Sequence, residues 1–141
     1  MKNEGRELYR EFTGWAPWVH VLLWGSVGGS ALLALASGSP AAAVIALASV
    51  PLVTLVFGGL LVTIEPKGIR VGLGRVRLLR TWIPFADITD LETARYNPLG
   101  DFGGWGLRGS RKKRAWSARG DRAVVLHLRD GREVWIGSDE P

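Results

Sequence analysis

Residues 12–64 read FTGWAPWVHVLLWGSVGGSALLALASGSPAAAVIALASVPLVTLVFGGLLVTI, and none of these 53 residues is an aspartate, glutamate, lysine or arginine. His20 is the only side chain in the segment with an ionisable group near neutral pH. A water-soluble protein of 141 residues lacks the polar sequence to cover so long an apolar segment. About 20 apolar residues are enough to span the hydrocarbon core of a bilayer. The segment therefore predicts membrane-spanning structure.

The apolar segment divides at residues 37–40, SGSP, a cluster that forms turns and interrupts helices. It predicts a first transmembrane helix over 15–36 and a second over 41–64, with 37–40 as the outer turn. A helix satisfies its own backbone hydrogen bonds in lipid, which makes it the expected structure for both spans. Pro51 predicts a kink in the second helix.

The distribution of charge predicts how the hairpin crosses the membrane. The outer turn has no charge, whereas basic residues lie in the N-terminal segment 1–14 and in the C-terminal half, 65–141, which carries the net charge of +5. Because basic loops remain on the cytoplasmic side, both termini are expected to be cytoplasmic. Trp15 and Trp18 lie where interfacial aromatic anchors are found. A signal peptide cleaved after residue 36 is the competing interpretation, and the three glutamates of the neutral head argue against it.

Small residues on the predicted helices indicate packing surfaces. Gly25 and Gly29 form a G-x-x-x-G pair, and Gly58 and Gly59 supply small residues at the end of the second span. We expect the first pair to pack against the chain's own second helix, the alternative being a helix of another protein. His20 could bind a haem or chlorophyll metal, but it has no evident partner, so an interfacial polar role is favoured and no cofactor is predicted.

From residue 61 onward, short alternating runs of β-branched residues are broken by glycine, proline and aspartate. Pro66-Lys67-Gly68 and the Asp130-Gly131 pair predict two β-hairpins. Six or seven short strands in this half predict a small barrel or a strongly bent sheet. The predicted strands are 61–65, 69–73, 76–82, 88–96, 123–128 and 133–136.

Residues 97–119 form a glycine-rich and then basic loop with candidate contact residues for a partner or a lipid. These candidates are Trp105, Arg108, Arg111, Lys112, Lys113, Arg114 and Trp116. Each basic residue near a membrane surface adds about 1 kcal/mol of attraction to anionic lipid. The alternatives are docking to an acidic patch of a neighbouring protein and a solvated hairpin tip, and nucleic acid is disfavoured because the membrane is the nearer polyanion. Trp105, between two glycines, is the predicted exposed anchor.

Three motifs that follow the hairpin carry a family resemblance: WIPFADITDLE (82–92), YNPLGDFGGWGLR (96–108) and AWSARGDRAVVLHLRDGREVWIGS (115–138). Over residues 10–138 the chain resembles small bacterial membrane-anchored proteins with a pleckstrin-homology-like (PH-like) domain. The resemblance implies a PH-like barrel of two bent sheets at the bacterial inner membrane, binding lipids or proteins without catalysis. Chains of this kind continue past the IGS motif into a capping helix that is not found here, so we expect an open barrel end covered by the membrane or another subunit.

No constellation of catalytic or metal-binding residues is found. The chain has no cysteine and two histidines, and no serine has a recognised histidine and aspartate pair. The sequence therefore predicts a non-catalytic accessory subunit that braces a larger membrane complex, for which a respiratory or photosynthetic assembly would be a natural host. Its partners would be the bilayer and other membrane subunits. The alternative is a free-standing membrane protein whose basic loop binds anionic lipids.

Overall fold

The computed structural model describes residues 7–139, which contain nine strands, two long α-helices, one short α-helix and a single 3-10 turn at Phe85–Asp87. The first six residues of the predicted N-terminal segment 1–14 and the last two residues of the chain lie outside this range. In chain order the elements are β1 (Tyr9–Gly14), α1 (Pro17–Ala36), α2 (Pro40–Phe57), β2 (Gly59–Glu65), β3 (Gly68–Leu73), β4 (Arg80–Pro84), β5 (Ile88–Arg95), α3 (Pro98–Phe102), β6 (Gly106–Gly109), β7 (Lys113–Ser117), β8 (Arg122–Leu128) and β9 (Glu133–Gly137).

α1 and α2 form the predicted helical pair. Pro17 and Pro40 begin the two helices, at positions where the missing N–H of proline costs nothing. Gly38 adopts a φ of +77° in the turn between them. Both helices are long and apolar enough to cross a membrane, and only 6% of the most apolar stretch of α1 and 11% of that of α2 are buried. The apolar surface of both helices is therefore largely uncovered by the rest of residues 7–139.

α2 ends at Phe57, seven residues before the predicted end at residue 64. Gly58 and Gly59 cause the change, because a Cβ atom at Gly58 would collide with the carbonyl oxygen of Thr54 and one at Gly59 would lie 2.5 Å from Cζ of Phe12. Only glycine, which has no Cβ atom, fits at these two positions, where the chain leaves α2 and enters β2. The prediction that Gly58 and Gly59 pack the two helices together is wrong, since they form the junction between α2 and β2.

The N-terminal segment, predicted as a tail before the first helix, contains strand β1. It pairs antiparallel with β2, from Tyr9 opposite Ile64 to Gly14 opposite Gly59. Two residues separate β1 from α1, and one residue separates α2 from β2. The helical hairpin is therefore the connection between two neighbouring, hydrogen-bonded strands. We call the end of the sheet at which both helices leave it the helix end.

The strands form two sheets. The first has the antiparallel order β1-β2-β3-β4, and the second has the order β5-β8-β9-β7-β6, in which β7 and β9 are parallel. No strand of residues 7–139 pairs from one sheet to the other, so the predicted barrel is not closed. The helical pair followed by a β-domain is confirmed, and of the two forms predicted for that domain, a small barrel or a strongly bent sheet, the closed barrel does not form. The buried core between the sheets contains Leu60, Val62, Val71, Leu73, Ile83, Trp116, Ala118, Leu126, Leu128, Val134 and Ile136.

The second sheet has one edge strand near the helices and one far from them. Leu107 of β6 lines a cavity of about 260 Å³ together with Trp15 and Phe57 of the helix end. At the opposite end, the N–H of Phe85, just before β5, donates to the carbonyl oxygen of Lys67 in the turn between β2 and β3. β6 therefore lies beside the helices, whereas β5 begins at the distal end of the first sheet.

Most predicted strands are present, and one is wrong. The hairpins 61–65/69–73 and 123–128/133–136 correspond to β2/β3 and β8/β9, and 88–96 corresponds to β5. The predicted strand 76–82 is instead a loop followed by β4, which begins at Arg80. Gly74 and Arg77 both have positive φ, +67° and +55°, and these left-handed residues prevent a continuous strand.

Candidate functional site

The loop between β3 and β4 packs directly on the end of α2. The N–H of Arg75 donates to the carbonyl oxygen of Leu55 at 2.9 Å, and the N–H of Gly74 donates to that of Gly59 at 2.7 Å. A helix has no internal donors for its last four carbonyl groups, so the first of these bonds satisfies one of them. The loop, the helix and the first strand after it are thus fixed to one another by backbone bonds.

Residues 74–80, GRVRLLR, form an amphiphilic loop at the helix end. Val76 is 47% exposed and Leu78 is 66% exposed, while the arginines at 75, 77 and 80 supply three positive charges. Exposed aliphatic side chains beside basic ones are typical of segments that enter the interfacial region of a bilayer. In the sequence, the alternation of arginine with aliphatic residues predicts a strand, and this surface was therefore not predicted.

Three tryptophans surround the same end of the molecule. Trp18 of α1 is 54% exposed and its ring lies 6.3 Å from that of Trp105, at an interplanar angle of 66°. Trp15 is partly buried against the core between the sheets. Trp105 was predicted to be an exposed anchor, but it is only half exposed and its Nε1–H donates to the carbonyl oxygen of Gly120 at 3.1 Å. Trp105 therefore links the second sheet to the start of α1.

The predicted basic loop 97–119 is a folded unit made of α3 and the β6–β7 hairpin. Asn97 begins α3 and accepts a hydrogen bond from the N–H of Gly100. The exposed basic residues of this unit are Arg108, Arg111, Lys112, Lys113 and Arg114. The prediction that Trp116 is a contact residue is wrong, because Trp116 is 2% exposed and belongs to the core. The charged residues face solvent, whereas the tryptophan two residues after Arg114 lies between the sheets.

Lys113 has aromatic partners within the domain. Its Nζ lies 4.5 Å from the ring centroid of Trp135 and 5.4 Å from that of Phe102. Tyr96 completes this aromatic cluster, with its ring 5.9 Å from Trp135. Burial raises the pKa of Tyr96 above its ordinary value, the Ser117 hydroxyl offsets part of that rise and the Asp121 carboxylate adds to it. Of the predicted basic contacts, Lys113 therefore already has a role in holding the β6–β7 hairpin to β9.

Two further ion pairs involve basic residues near the candidate segment. Arg119 pairs with Asp139, and the hydrogen bond and charge of this carboxylate raise the pKa of the Arg119 guanidinium. Arg132 pairs with Asp130 at 2.5 Å, and its N–H groups and charge lower the pKa of the Asp130 carboxyl group. These two arginines have a compensating partner in the domain, unlike Arg108, Arg111 and Arg114, for which the described residues supply no ion pair.

Gly25 and Gly29 lie on an open face of α1. A Cβ atom built on either residue has no heavy atom within 4 Å, and both residues are exposed. The two glycines therefore do not pack against α2, contrary to our preferred interpretation. The other interpretation, an approach by a helix of another protein, stays a prediction.

His20 lies on α1 near the helix end, with its ring 6.2 Å from that of Trp15. No group of three or more histidine, cysteine, aspartate or glutamate residues in 7–139 could hold a metal ion. Instead, His20 lines a groove between the helices, which has a volume of about 420 Å³ and which we call the interhelical groove. Its other wall is made by α2, and Arg75 of the amphiphilic loop lies at its rim.

Comparison with protein-family models, with curated proteins and with solved structures finds no match for this chain.

Proposed function

We propose that this chain is a non-catalytic membrane-anchored accessory subunit that braces a larger membrane protein complex. Its two helices would cross the bacterial inner membrane, with both termini and the β-domain on the cytoplasmic side. The partner would be another membrane protein, and a respiratory or photosynthetic assembly would be a natural host. We also propose that the β-domain is an open relative of the PH-like fold, a proposal that its two packed sheets of mostly antiparallel strands support.

The observation that carries the proposal is the absence of a linker between the helices and the β-domain. β1 is paired with β2 along its whole length, and the strand residues at the helix end, Gly14 and Gly59, are opposite each other. The backbone bond from Arg75 to Leu55 adds a third connection. A domain held in this way keeps a fixed position and orientation relative to the helices. This suits a subunit that braces a complex better than it suits a flexibly tethered module that searches for its ligand.

The position of β1 also supports retention of the first helix. Cleavage after residue 36, as in a signal peptide, would remove β1 from the first sheet and expose the edge of β2 along six residues. An uncovered edge of that length promotes aggregation. The stability of the β-domain therefore favours an anchor that stays in the mature protein.

The open face of α1 is the surface we assign to the partner in the membrane. Small residues let two helix backbones approach closely in lipid, where packing provides much of the attraction between helices. Gly25 and Gly29 have no neighbour within residues 7–139 that uses this property. A substitution there should therefore affect association while leaving the fold of the chain unchanged.

The first test is the native mass of the chain after gentle detergent extraction from its source membrane, with identification of the proteins that co-migrate. We expect a large stoichiometric assembly. Gly29→Leu should release the chain from that assembly, whereas Ala48→Leu, an exposed position on α2, should not. A particle of one or two copies, or equal behaviour of the two variants, would contradict the bracing function.

A second candidate function, binding of anionic lipid by the basic residues, is favoured by the amphiphilic loop and by Arg108 on the edge strand next to the helices. This candidate predicts that the full chain in nanodiscs protects residues 74–80 and 108–114 from hydrogen exchange when phosphatidylglycerol is present. Phosphatidylcholine alone should not give this protection, and salt should weaken it because exposed charges are screened. Replacing Lys112 and Lys113 by glutamate should abolish protection of the hairpin. Equal protection in both lipids would exclude this function.

A further inference from the structure

The interhelical groove has polar groups at one level and apolar groups beneath them. His20 lies one helical turn into α1 and Thr54 one turn before the end of α2, so both are near the helix end. Trp24 lies four residues further along α1, and Pro51 lies three residues deeper in α2. At a rise of 1.5 Å per residue, these apolar side chains lie about 5–6 Å below the polar ones.

Arg75 determines the charge of the groove. Its side chain is exposed, and its guanidinium Cζ lies 5.5 Å from the ring centroid of Phe12. None of the five ion pairs formed within residues 7–139 involves Arg75. The start of α1 carries a positive partial charge and the end of α2 a negative one, and because the two lie side by side they largely cancel. One uncompensated positive charge therefore remains at the rim.

The guanidinium of Arg75 lies over the ring of Phe12 but does not make the hydrogen bond that connects the loop to α2. The backbone N–H of Arg75, not its guanidinium, makes the hydrogen bond to Leu55 that connects the loop to α2. The guanidinium remains available to a ligand and presents five N–H donors in a planar fork, an arrangement that matches the oxygens of a phosphate group.

We propose that the interhelical groove binds a singly charged phosphate diester, and that this group is the headgroup of an anionic phospholipid. Arg75 pairs with the phosphate oxygens, and the Thr54 hydroxyl and the His20 ring, which line the groove at the same level, supply further hydrogen bonds. The upper part of an acyl chain then lies along Trp24 and Pro51. Basic pockets between transmembrane helices at the level of the headgroups are suited to such lipids. This inference rests on the proposed membrane placement of the helices and does not depend on the protein partner.

The charge of the groove also predicts which lipids it excludes. One guanidinium compensates one negative charge, so phosphatidylglycerol suits the site. Phosphatidylcholine carries its own quaternary ammonium and would bring a second positive group close to Arg75. Selection between the two lipids is therefore an electrostatic effect, and it should depend on Arg75 more than on the aromatic wall.

The test is native mass spectrometry of the full chain in maltoside micelles, titrated separately with dioctanoyl phosphatidylglycerol, dioctanoyl phosphatidylcholine and inorganic phosphate. We expect a stoichiometric adduct with phosphatidylglycerol, weaker binding of phosphatidylcholine and none of inorganic phosphate. Arg75→Gln should weaken the phosphatidylglycerol adduct about tenfold, the effect of losing one hydrogen bond to a charged group. Lys67→Gln is the control, because Lys67 is an exposed basic residue in the turn at the distal end of the first sheet, and this variant should bind like the parent chain.

Each outcome has a definite meaning. Equal binding of both lipids, or unchanged binding by Arg75→Gln, would overturn the site. Binding of inorganic phosphate as tight as that of phosphatidylglycerol would retain the phosphate site but overturn the lipid as its source. Trp24→Ala provides a second measurement that leaves Arg75 intact, and it should weaken lipid binding without changing the preference for phosphatidylglycerol. Helical circular dichroism of each variant reports whether it is folded. Because the chain is tested alone, a negative result leaves the bracing function to its own experiment.

Discussion

The contact between the amphiphilic loop and the end of α2 can be tested with one methyl group, by the substitution Gly74→Ala. Gly74 has a φ of +67°, and a Cβ atom there would lie 2.6 Å from the carbonyl oxygen of Leu55 and collide with that of Val56. These carbonyl groups are backbone atoms of a helix and cannot move aside independently. The loop would have to shift away from α2, breaking the hydrogen bonds from Gly74 to Gly59 and from Arg75 to Leu55.

The magnitude follows from these losses. A left-handed conformation costs an alanine about 1 kcal/mol, and two backbone hydrogen bonds contribute about 1 kcal/mol each. Gly74→Ala should therefore lower the free energy of unfolding by about 3 kcal/mol. Gly131→Ala is the matched control, because Gly131 has a φ of +79° and open space where the methyl group would lie. Gly131→Ala should lower the free energy of unfolding by about 1 kcal/mol, the cost of the left-handed conformation alone.

The assay is thermal unfolding of the full chain in detergent, followed by near-ultraviolet circular dichroism, which reports the packing of aromatic residues such as Trp116 in the core of the β-domain. A difference of about 2 kcal/mol between the variants corresponds to roughly 8–16 °C in the Tm of a domain of this size. If Gly74→Ala and Gly131→Ala had the same Tm, the contact between loop and helix would not stabilise the domain, and the rigid connection on which the bracing function rests would be refuted.

Three further outcomes are expected from unfolding experiments on the same chain. Thr63→Val should raise the free energy of unfolding by about 1 kcal/mol, because the Thr63 hydroxyl is buried with no hydrogen-bond partner within residues 7–139. The control Thr13→Val should lower the free energy of unfolding, since the Thr13 hydroxyl donates a hydrogen bond to the Glu11 carboxylate. Lys113→Met should lower the free energy of unfolding by about 0.5–1 kcal/mol, because the contact with the Trp135 ring is lost. The exposed control Lys112→Met should leave the free energy of unfolding unchanged. The stability should fall as pH rises through 10, because Tyr96 ionises in the unfolded chain before it does in the folded one, and Tyr96→Phe should make this fall smaller. A parent chain and a Tyr96→Phe variant with the same pH profile would contradict that assignment.

The sequence was sufficient for the helical pair and the two hairpins because each of these depends on local pattern. An uncharged segment of 53 residues has few structures open to it, and Asp130-Gly131 supports a tight turn wherever it occurs. β1 could not be predicted in the same way. Its six residues contain two charged side chains and a glycine, and their partner strand begins at Gly59, after the whole helical hairpin. No local signal reports a pairing at that distance.

The candidate surfaces illustrate a second limit. The alternation of arginine with aliphatic residues over 75–78 has the period of a strand, and only the backbone dihedral angles of Gly74 and Arg77 turn it into a loop. Trp116 follows a run of basic residues in the sequence, yet the next step along β7 takes the chain from the rim into the core. Whether such a residue is exposed depends on where its strand enters the core between the two sheets. This point is set by the packing of the sheets and not by the neighbouring residues in the sequence.

Because the helical hairpin lies between β1 and β2 in the chain, both helices are synthesised before β1 can pair with β2. β1 leaves the ribosome first but has no partner until both spans have been translated and β2 follows. The first sheet can be completed only when the two helices have been delivered side by side with their ends together, because the register begins at Gly14 and Gly59. If the two helices cross a bilayer as proposed, a chain in which one of them failed to insert would leave β1 and β2 on opposite sides of it. In the proposed membrane placement, folding of the β-domain would thus depend on correct topology, and a mis-inserted chain would be left with an unpaired strand.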